Sequence, residues 1–458
     1  MKNLPKLSAT QSIAAAFTVL ILMGTGLLML PISSSSGKST NFFDALLTST
    51  SSFTVTGLAS VDTGTHWSTF GHVVIAFGVQ IGGIGIIAFA TLVAFLLEGK
   101  ISMKSRTTVQ AESSAPRKMD IKSYLKTIVK MLLIFQSILF AILAFRFFTE
   151  YDYSLDKAIT HGAFHSLMTV NHAGFALYAD SMIGFAQDPW IILSIFVFAT
   201  IASLGIPVLV EIRDRIKVKL YNRVGKDAGY TMPRHWSLNS RIVLWATLFL
   251  TVVGTLGVTI AEWNNPATLG AAEPLQKFMS GLFDASMTRT VGFNSIPTGE
   301  MDPGSWIGFN ILMFIGGASG STAGGIKIGT AVILIFIVFT EIRGDAAVNV
   351  GNRRLPRSMQ RQALTIVTLY SAVIIGALFI LRFTTNFTTD QLLFEIISSI
   401  GTVGLSTGIT ADLPNHAKFL ISLVMLFGRL GPIVVATSLA LRRTKRHFEY
   451  PRESPLIG

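Results

Sequence analysis

The sequence predicts an all-α polytopic membrane protein with eight spanning helices, assembled from four pseudo-repeats of helix, short helix, loop and helix. Three observations predict it. Long apolar runs recur along the chain, basic residues crowd into alternate connections, and four glycine-containing segments sit at nearly equal spacing between the runs. These segments are Thr54-Val55-Thr56-Gly57-Leu58, Asn171-His172-Ala173-Gly174-Phe175, Arg289-Thr290-Val291-Gly292-Phe293 and Gly401-Thr402-Val403-Gly404-Leu405.

The 458-residue chain is 50% hydrophobic and 14% charged, well below the roughly 25% charge of a soluble domain. A run of about 20 apolar residues crosses a hydrocarbon core of roughly 30 Å. Eight fit: about 11–31, 69–97, 124–148, 189–212, 240–261, 305–341, 361–382 and 415–441. The first follows Lys2 and Lys6. It is long for the apolar part of a signal peptide and lacks a small-residue cleavage site, so it reads as a retained helix. With no cysteine, disulfides are excluded.

The net charge of +12 is explained by topology, and no nucleic-acid partner is expected. Lys2, Lys6, the stretches 100–126, 213–241 and 343–361, and the tail from Arg442 carry most of the basic residues. The opposite connections hold few, among them Lys38, Arg146, Lys157, Lys277, Arg382 and Lys418. Positive charge stays on the cytoplasmic side. The expectation is therefore a multi-pass protein of the cell membrane with both termini cytoplasmic.

Between the spans of each pair, on the outer side, lies a shorter apolar segment: 42–52, 158–169, 275–287 and 391–399. About ten to thirteen helical residues reach only about 15–20 Å. That is too short to cross, so each is expected to be a half-helix that dips into the membrane and returns through protein or a water-filled cavity. The resulting units are 1–100, 101–226, 227–345 and 346–458, the third with a broken helix and the fourth with a cytoplasmic tail. A unit of about 115 residues has the size of one channel subunit rather than of a solenoid repeat. The expected architecture is thus helix, pore half-helix, filter loop and helix, four times around one central pore.

The loops suit potassium. A ring of backbone carbonyls can replace the hydration shell of a dehydrated cation. Glycine permits backbone angles that turn carbonyls inward, where a Cβ would clash. Each half-helix would aim the negative end of its dipole at the ion. The expected ion contacts come from Thr54, Val55, Thr56 and Gly57; Asn171, His172, Ala173 and Gly174; Arg289, Thr290, Val291 and Gly292; and Gly401, Thr402, Val403 and Gly404.

On these four loops the chain resembles the Trk/Ktr/HKT superfamily of potassium transport proteins over nearly its whole length. The eight-helix count makes the Ktr membrane subunit the nearest branch. The resemblance implies a homodimer with one pore per protomer, regulated by a cytosolic ring of nucleotide-binding RCK subunits. It also implies K+ as the transported ion, with no covalent cofactor; sodium-coupled and channel-like flux both fit. His172 stands where the family pattern has asparagine. Its side chain is expected behind the filter, the alternative being a titrating group in the pore. Arg289 is expected to point away from the ion and pair with a carboxylate such as Asp284 or Glu395.

The sixth run is interrupted by Gly316, Gly317, Ala318, Ser319, Gly320, Ser321, Thr322, Ala323, Gly324 and Gly325. Each glycine costs a helix about 1 kcal/mol relative to alanine, so the segment should unwind. Its backbone must then face protein or water. The resemblance makes it a gating loop below the filter. Arg429 lies inside an apolar run and must face the bundle interior or water; it would hold the loop's carbonyls and oppose free cation flow, the alternative being a structural pair with a nearby carboxylate or helix end. Lys327 reaches the cytoplasm or braces the loop. Two rival functions are weaker. A secondary transporter would repeat twice rather than four times. A metalloenzyme would have to build on His161 and His165, one helical turn apart, with no third ligand in evidence. The protein is expected not to be an enzyme, and its basic cytoplasmic segments also suit anionic membrane lipid.

Overall fold

The computed structural model describes residues 9–84, 121–225, 233 and 235–431. The described residues form fifteen α-helices and one small hairpin. In chain order the helices are α1 (Ala9–Leu28), α2 (Phe42–Thr54), α3 (Thr63–His66), α4 (Thr69–Gly83), α5 (Ile121–Glu150), α6 (Leu155–Asn171), α7 (Pro189–Ser203), α8 (Ile206–Arg223), α9 (Leu238–Ala261) and α10 (Pro274–Met287). They continue as α11 (Pro303–Phe314), α12 (Ile328–Arg343), α13 (Arg357–Thr384), α14 (Thr389–Gly401) and α15 (Asn415–Leu430).

Among the described residues, α1, α5, α9 and α13 are each long and apolar enough to cross a membrane alone. The span expected at 189–212 is broken. Helix α7 stops at Ser203, and α8 leaves it at 101°. Gly205 adopts φ +81° and Pro207 follows it in the first turn of α8, so the helix cannot run straight through. The span expected at 305–341 is likewise divided, into α11 and α12. Those expected at 69–97 and 415–441 are described as far as Ile84 and Gly431, and their remainders lie outside the described residues.

Four short helices follow α1, α5, α9 and α13. They have 13, 17, 14 and 13 residues, or about 20–26 Å at 1.5 Å per residue. Their starts are written in the sequence. Asn41 and Ser154 accept hydrogen bonds from the first-turn amides of α2 and α6. Thr388 forms a reciprocal capping box with Gln391. Pro274 opens α10, where the missing N–H costs nothing.

Packing of these helices closes on itself. Each short helix packs against the long helix before it: α2 on α1, α6 on α5, α10 on α9 and α14 on α13. Each also packs against a helix from outside that pair, with α4 on α6, α7 on α10 and α11 on α14, and α15 returning to α2. Two apolar cores result, one centred on α4 to α7 and one on α9 to α15. Large apolar side chains such as Phe77, Phe145, Trp245 and Phe383 cover the outside, as a lipid-facing surface requires.

The all-α expectation misses one feature. Asn349–Val350 and Arg353–Arg354 pair as antiparallel strands β1 and β2. Gly351 supplies the positive φ of the turn, and Val348, Val350 and Leu355 pack on Ile333, Phe336 and Ile337.

Two glycines test this packing. A Cβ at Gly428 would stand 2.1 Å from the Ile400 carbonyl, whereas one at Gly376 in α13 meets nothing within 4 Å. Gly428→Ala should lower the thermal midpoint of the solubilised protein by several degrees. Gly376→Ala should leave it level or raise it, by up to about 1 kcal/mol of helix propensity. Fluorescence-detected thermal unfolding of both variants reads the difference.

Candidate functional site: a ring of four loops above a glycine-rich loop

The four loops share one backbone pattern. In each, one residue adopts a left-handed conformation, the next returns to negative φ, and the glycine is left-handed again. The first positions are Val55, His172, Thr290 and Thr402 at φ 56°, 64°, 75° and 50°. The glycines are Gly57, Gly174, Gly292 and Gly404 at 95°, 52°, 83° and 97°. Alternation of this kind turns successive carbonyls toward one side. A left-handed residue with a Cβ costs roughly 1–2 kcal/mol, and β-branched Val55, Thr290 and Thr402 are unusual there. Four such costs at matching positions point to a backbone held for a purpose.

The loops also touch in cyclic order. A Cβ at Gly57 would lie 2.5 Å from the Ala173 carbonyl oxygen, one at Gly174 2.8 Å from that of Val291, one at Gly292 2.1 Å from that of Val403, and one at Gly404 2.2 Å from that of Thr56. The equivalent carbonyls of Thr56, Ala173, Val291 and Val403 therefore form a closed ring, each seated against the preceding loop's glycine. Hydroxyls on the short helices steady it. Ser51 Oγ accepts the Gly57 amide at 2.9 Å and Ser398 Oγ that of Gly404 at 3.2 Å.

Three side chains at the loop positions find partners on neighbouring elements. His172 is buried, its Nε2 3.0 Å from the Ala199 carbonyl and its Nδ1 3.0 Å from Thr290 Oγ1. Because the carbonyl only accepts, Nε2 is the protonated nitrogen. Asn171 donates to Gln80 at 2.9 Å. Among the described residues Arg289 does not pair with a carboxylate, contrary to the sequence expectation. It donates to Thr251 Oγ1 at 3.5 Å and Thr247 Oγ1 at 3.3 Å, both on α9. Asp284 is occupied by the backbone and side chain of Ser295, and Glu395 by Ser406, Thr407 and Thr410. Those hydroxyl-rich partners exclude the guanidinium. Nor do His161 and His165 act as a metal pair. His165 Nδ1 donates to the His161 carbonyl, and its Nε2 accepts the Leu177 amide. Among the described residues no three His, Asp or Glu side chains converge on a common point.

The glycine-rich loop between α11 and α12 lies against the inner end of this ring. Its neck is closed by Gly316 N–H to the Ile326 carbonyl at 2.8 Å and Ile328 N–H to the Gly317 carbonyl at 3.1 Å. Its body is tied to the break between α7 and α8, where Ala318 donates to the Ser203 carbonyl at 2.9 Å and Ile206 donates to the Gly320 carbonyl at 3.0 Å. Beside the neck it reaches the fourth loop so closely that a Cβ at Gly324 would stand 1.9 Å from Thr402 Oγ1. Arg429, buried, donates to the Thr322 carbonyl at 2.7 Å and to the Gly82 carbonyl. Lys327 Nζ donates to the Ala323 and Gly324 carbonyls. Two cations thus hold carbonyls of one loop. A cavity of about 550 Å³ adjoins it, lined by 319–327, Arg429, Tyr370 and apolar residues of α5.

The fold and this site define a helical membrane protein of the ion-transport class. The chain belongs to the TrkH family of cation transport proteins, whose family model matches residues 5–447; it is a family of transporters and not of enzymes. It is 33% identical to the Ktr system potassium uptake protein B of Bacillus subtilis (strain 168), over 98% of this chain and 96% of that protein. It is 31% identical to the potassium/sodium uptake protein NtpJ of Enterococcus hirae, over 99% and 98% of the two chains. Its fold is similar to that of the crystal structure of the potassium transporter TrkH from Vibrio parahaemolyticus, with a TM-score of 0.70 and 19% identity over 96% of this chain and 86% of that one.

Charge-assisted hydrogen bonds are worth about 1.5–3 kcal/mol each, so the loop should loosen without Arg429. Arg429→Met is expected to speed deuterium exchange of peptides covering 316–328 by about tenfold or more. Exchange at the wild-type rate would mean that the arginine does not hold the loop.

Proposed function

We propose that this chain is the ion-conducting membrane subunit of a potassium uptake system and that the four-loop ring is its selectivity filter. The ring of carbonyls from Thr56, Ala173, Val291 and Val403 carries the reading. A potassium ion sheds water as it enters, and carbonyl oxygens of successive loop residues take the place of that water. The four short helices end at the loops, and each contributes a partial negative charge of roughly half an electron at its C-terminus. The four units then surround one central pore, each with two spans and a half-helix, for eight spans in all. The orientation that keeps 213–241 and 343–361 on the basic, cytoplasmic side puts the ring toward the outside and both termini inside the cell membrane.

The loop 316–325 serves as the gate in this reading. It sits below the ring with its backbone tethered by Arg429 and Lys327, and their charge adds a barrier to cations. Opening requires the loop to leave these donors. The relatives called Ktr system proteins belong, by that name, to a system, and a cytosolic RCK-type nucleotide-binding ring docked on the basic segments would supply the opening force, acting on a homodimer of this chain. The E. hirae relative has sodium in its name, so sodium remains within the reading as a companion ion.

Two measurements test it. Gly57→Ser and Gly292→Ala introduce a Cβ where the next loop's carbonyl stands at 2.5 and 2.1 Å. Uptake by cells lacking other potassium systems should show a half-saturating K+ concentration raised about tenfold or more, or sodium entry, with protein inserted at normal levels. Unchanged selectivity in both variants would remove the filter assignment. Deleting 318–324 should leave uptake high without the cytosolic partner, and Arg429→Ala should do so in part. Because both act on one closed state, the combined effect should fall short of the sum. Unchanged or lower uptake in the inserted deletion variant would make the segment a packing feature.

A further inference from the structure

Behind three of the four loops the same connection recurs at the same register. In the second loop, His165 Nε2 accepts the backbone N–H of Leu177, three residues after Gly174, at 3.2 Å. In the third, Asp284 accepts the backbone N–H of Ser295, three residues after Gly292, at 3.0 Å, together with its hydroxyl. In the fourth, Glu395 accepts the backbone N–H of Thr407, three residues after Gly404, at 3.1 Å, with the hydroxyls of Ser406 and Thr410. His165, Asp284 and Glu395 stand eight or nine residues before their glycines on α6, α10 and α14, and all three are fully buried.

The first loop departs from this. Thr48 occupies the matching position, and its hydroxyl has no partner among the described residues. Asp44, one turn earlier on α2, instead accepts from Ser60 Oγ at 2.7 Å, with Lys418 Nζ of α15 at 2.8 Å.

We propose that His165, Asp284 and Glu395 are positioning residues for ion selection. Each latches the strand that leaves its loop onto the half-helix that enters it, and so fixes the width of the carbonyl ring. The inference rests on the reading of the four loops as the filter. A ring that discriminates between two bare cations must resist closing around the smaller one, and in each of these loops the latch opposes the inward swing of the strand just above the glycine. A histidine serves as well as a carboxyl because the target is a single amide. The His165 tautomer fits this use, since Nδ1 is committed as a donor to the His161 carbonyl at 2.8 Å and Nε2 is left to accept.

The test uses the full chain in proteoliposomes, reading 86Rb+ uptake and its inhibition by K+ and by Na+. A lost buried hydrogen bond is worth about 1 kcal/mol, or roughly fivefold, and more for a carboxyl with several donors. His165→Ala and Glu395→Ala should therefore reduce discrimination against sodium by about five- to tenfold at matched reconstitution. His165→Gln and Glu395→Gln keep an amide oxygen within reach and should restore most of it. His165 also stacks on Tyr178, and a role confined to that packing would leave His165→Gln as defective as His165→Ala. Wild-type discrimination in both alanine variants, or glutamine variants no better than alanine, would overturn the proposal. Gly292→Ser in the same assay separates the two layers. If it loses discrimination while the alanine variants keep it, the latch falls and the filter stands; if it keeps discrimination, the filter reading falls and the latch with it.

Discussion

Everything in this molecule depends on four backbone carbonyls resting against four glycines. Each contact joins one loop to the next, and the fourth joins back to the first. No side chain could mediate it, because an added Cβ would lie 2.1–2.8 Å from the neighbouring oxygen, inside any normal contact. The short helices exist to deliver these loops, and their length of about 20–26 Å follows from stopping where the ring is. The long helices in turn supply walls for backbone that cannot face lipid. Ring, half-helix and span are therefore one constraint seen at three distances.

The interior below the ring is polar where a lipid-facing helix could not be. Two cations, half-buried Lys327 and buried Arg429, donate to carbonyls of a single loop, Arg429 also to that of Gly82. Without those carbonyls each charge would cost several kcal/mol at membrane depth. The loop in turn has few regular partners of its own beyond its neck and the break at Gly205. Loop and cations hold each other. Displacing the loop would strip both charges of these partners.

Much of this could be read from the sequence, and the reason is physical. Left-handed backbone and close approach demand glycine, so Gly57, Gly174, Gly292 and Gly404 mark the loops without any knowledge of tertiary contacts. Five glycines within 316–325 likewise announce unwinding. What could not be read depends on who sits beside whom. Charge alone suggests a carboxylate for Arg289, yet Asp284 and Glu395 are claimed by the amides and hydroxyls of their own loops, and Arg289 donates to the threonines of α9. The 101° turn at α7 hides in an apolar run where Gly205 and Pro207 could equally have served packing. The hydrogen bond of His165 has a faint signal, since His165 falls at the position of Glu395 when the glycines are aligned, but a histidine and a carboxylate share no obvious chemistry until the backbone amide that each accepts is seen.

The central claim is that the ring binds the transported ion. The most direct test is a structure of the protein in rubidium, with anomalous scattering locating the cation. The account predicts a peak on the axis between the carbonyls of Thr56, Ala173, Val291 and Val403, at comparable distances from all four, which weakens when rubidium is replaced by sodium. A cation that binds elsewhere at saturating rubidium, with the ring empty, would contradict it.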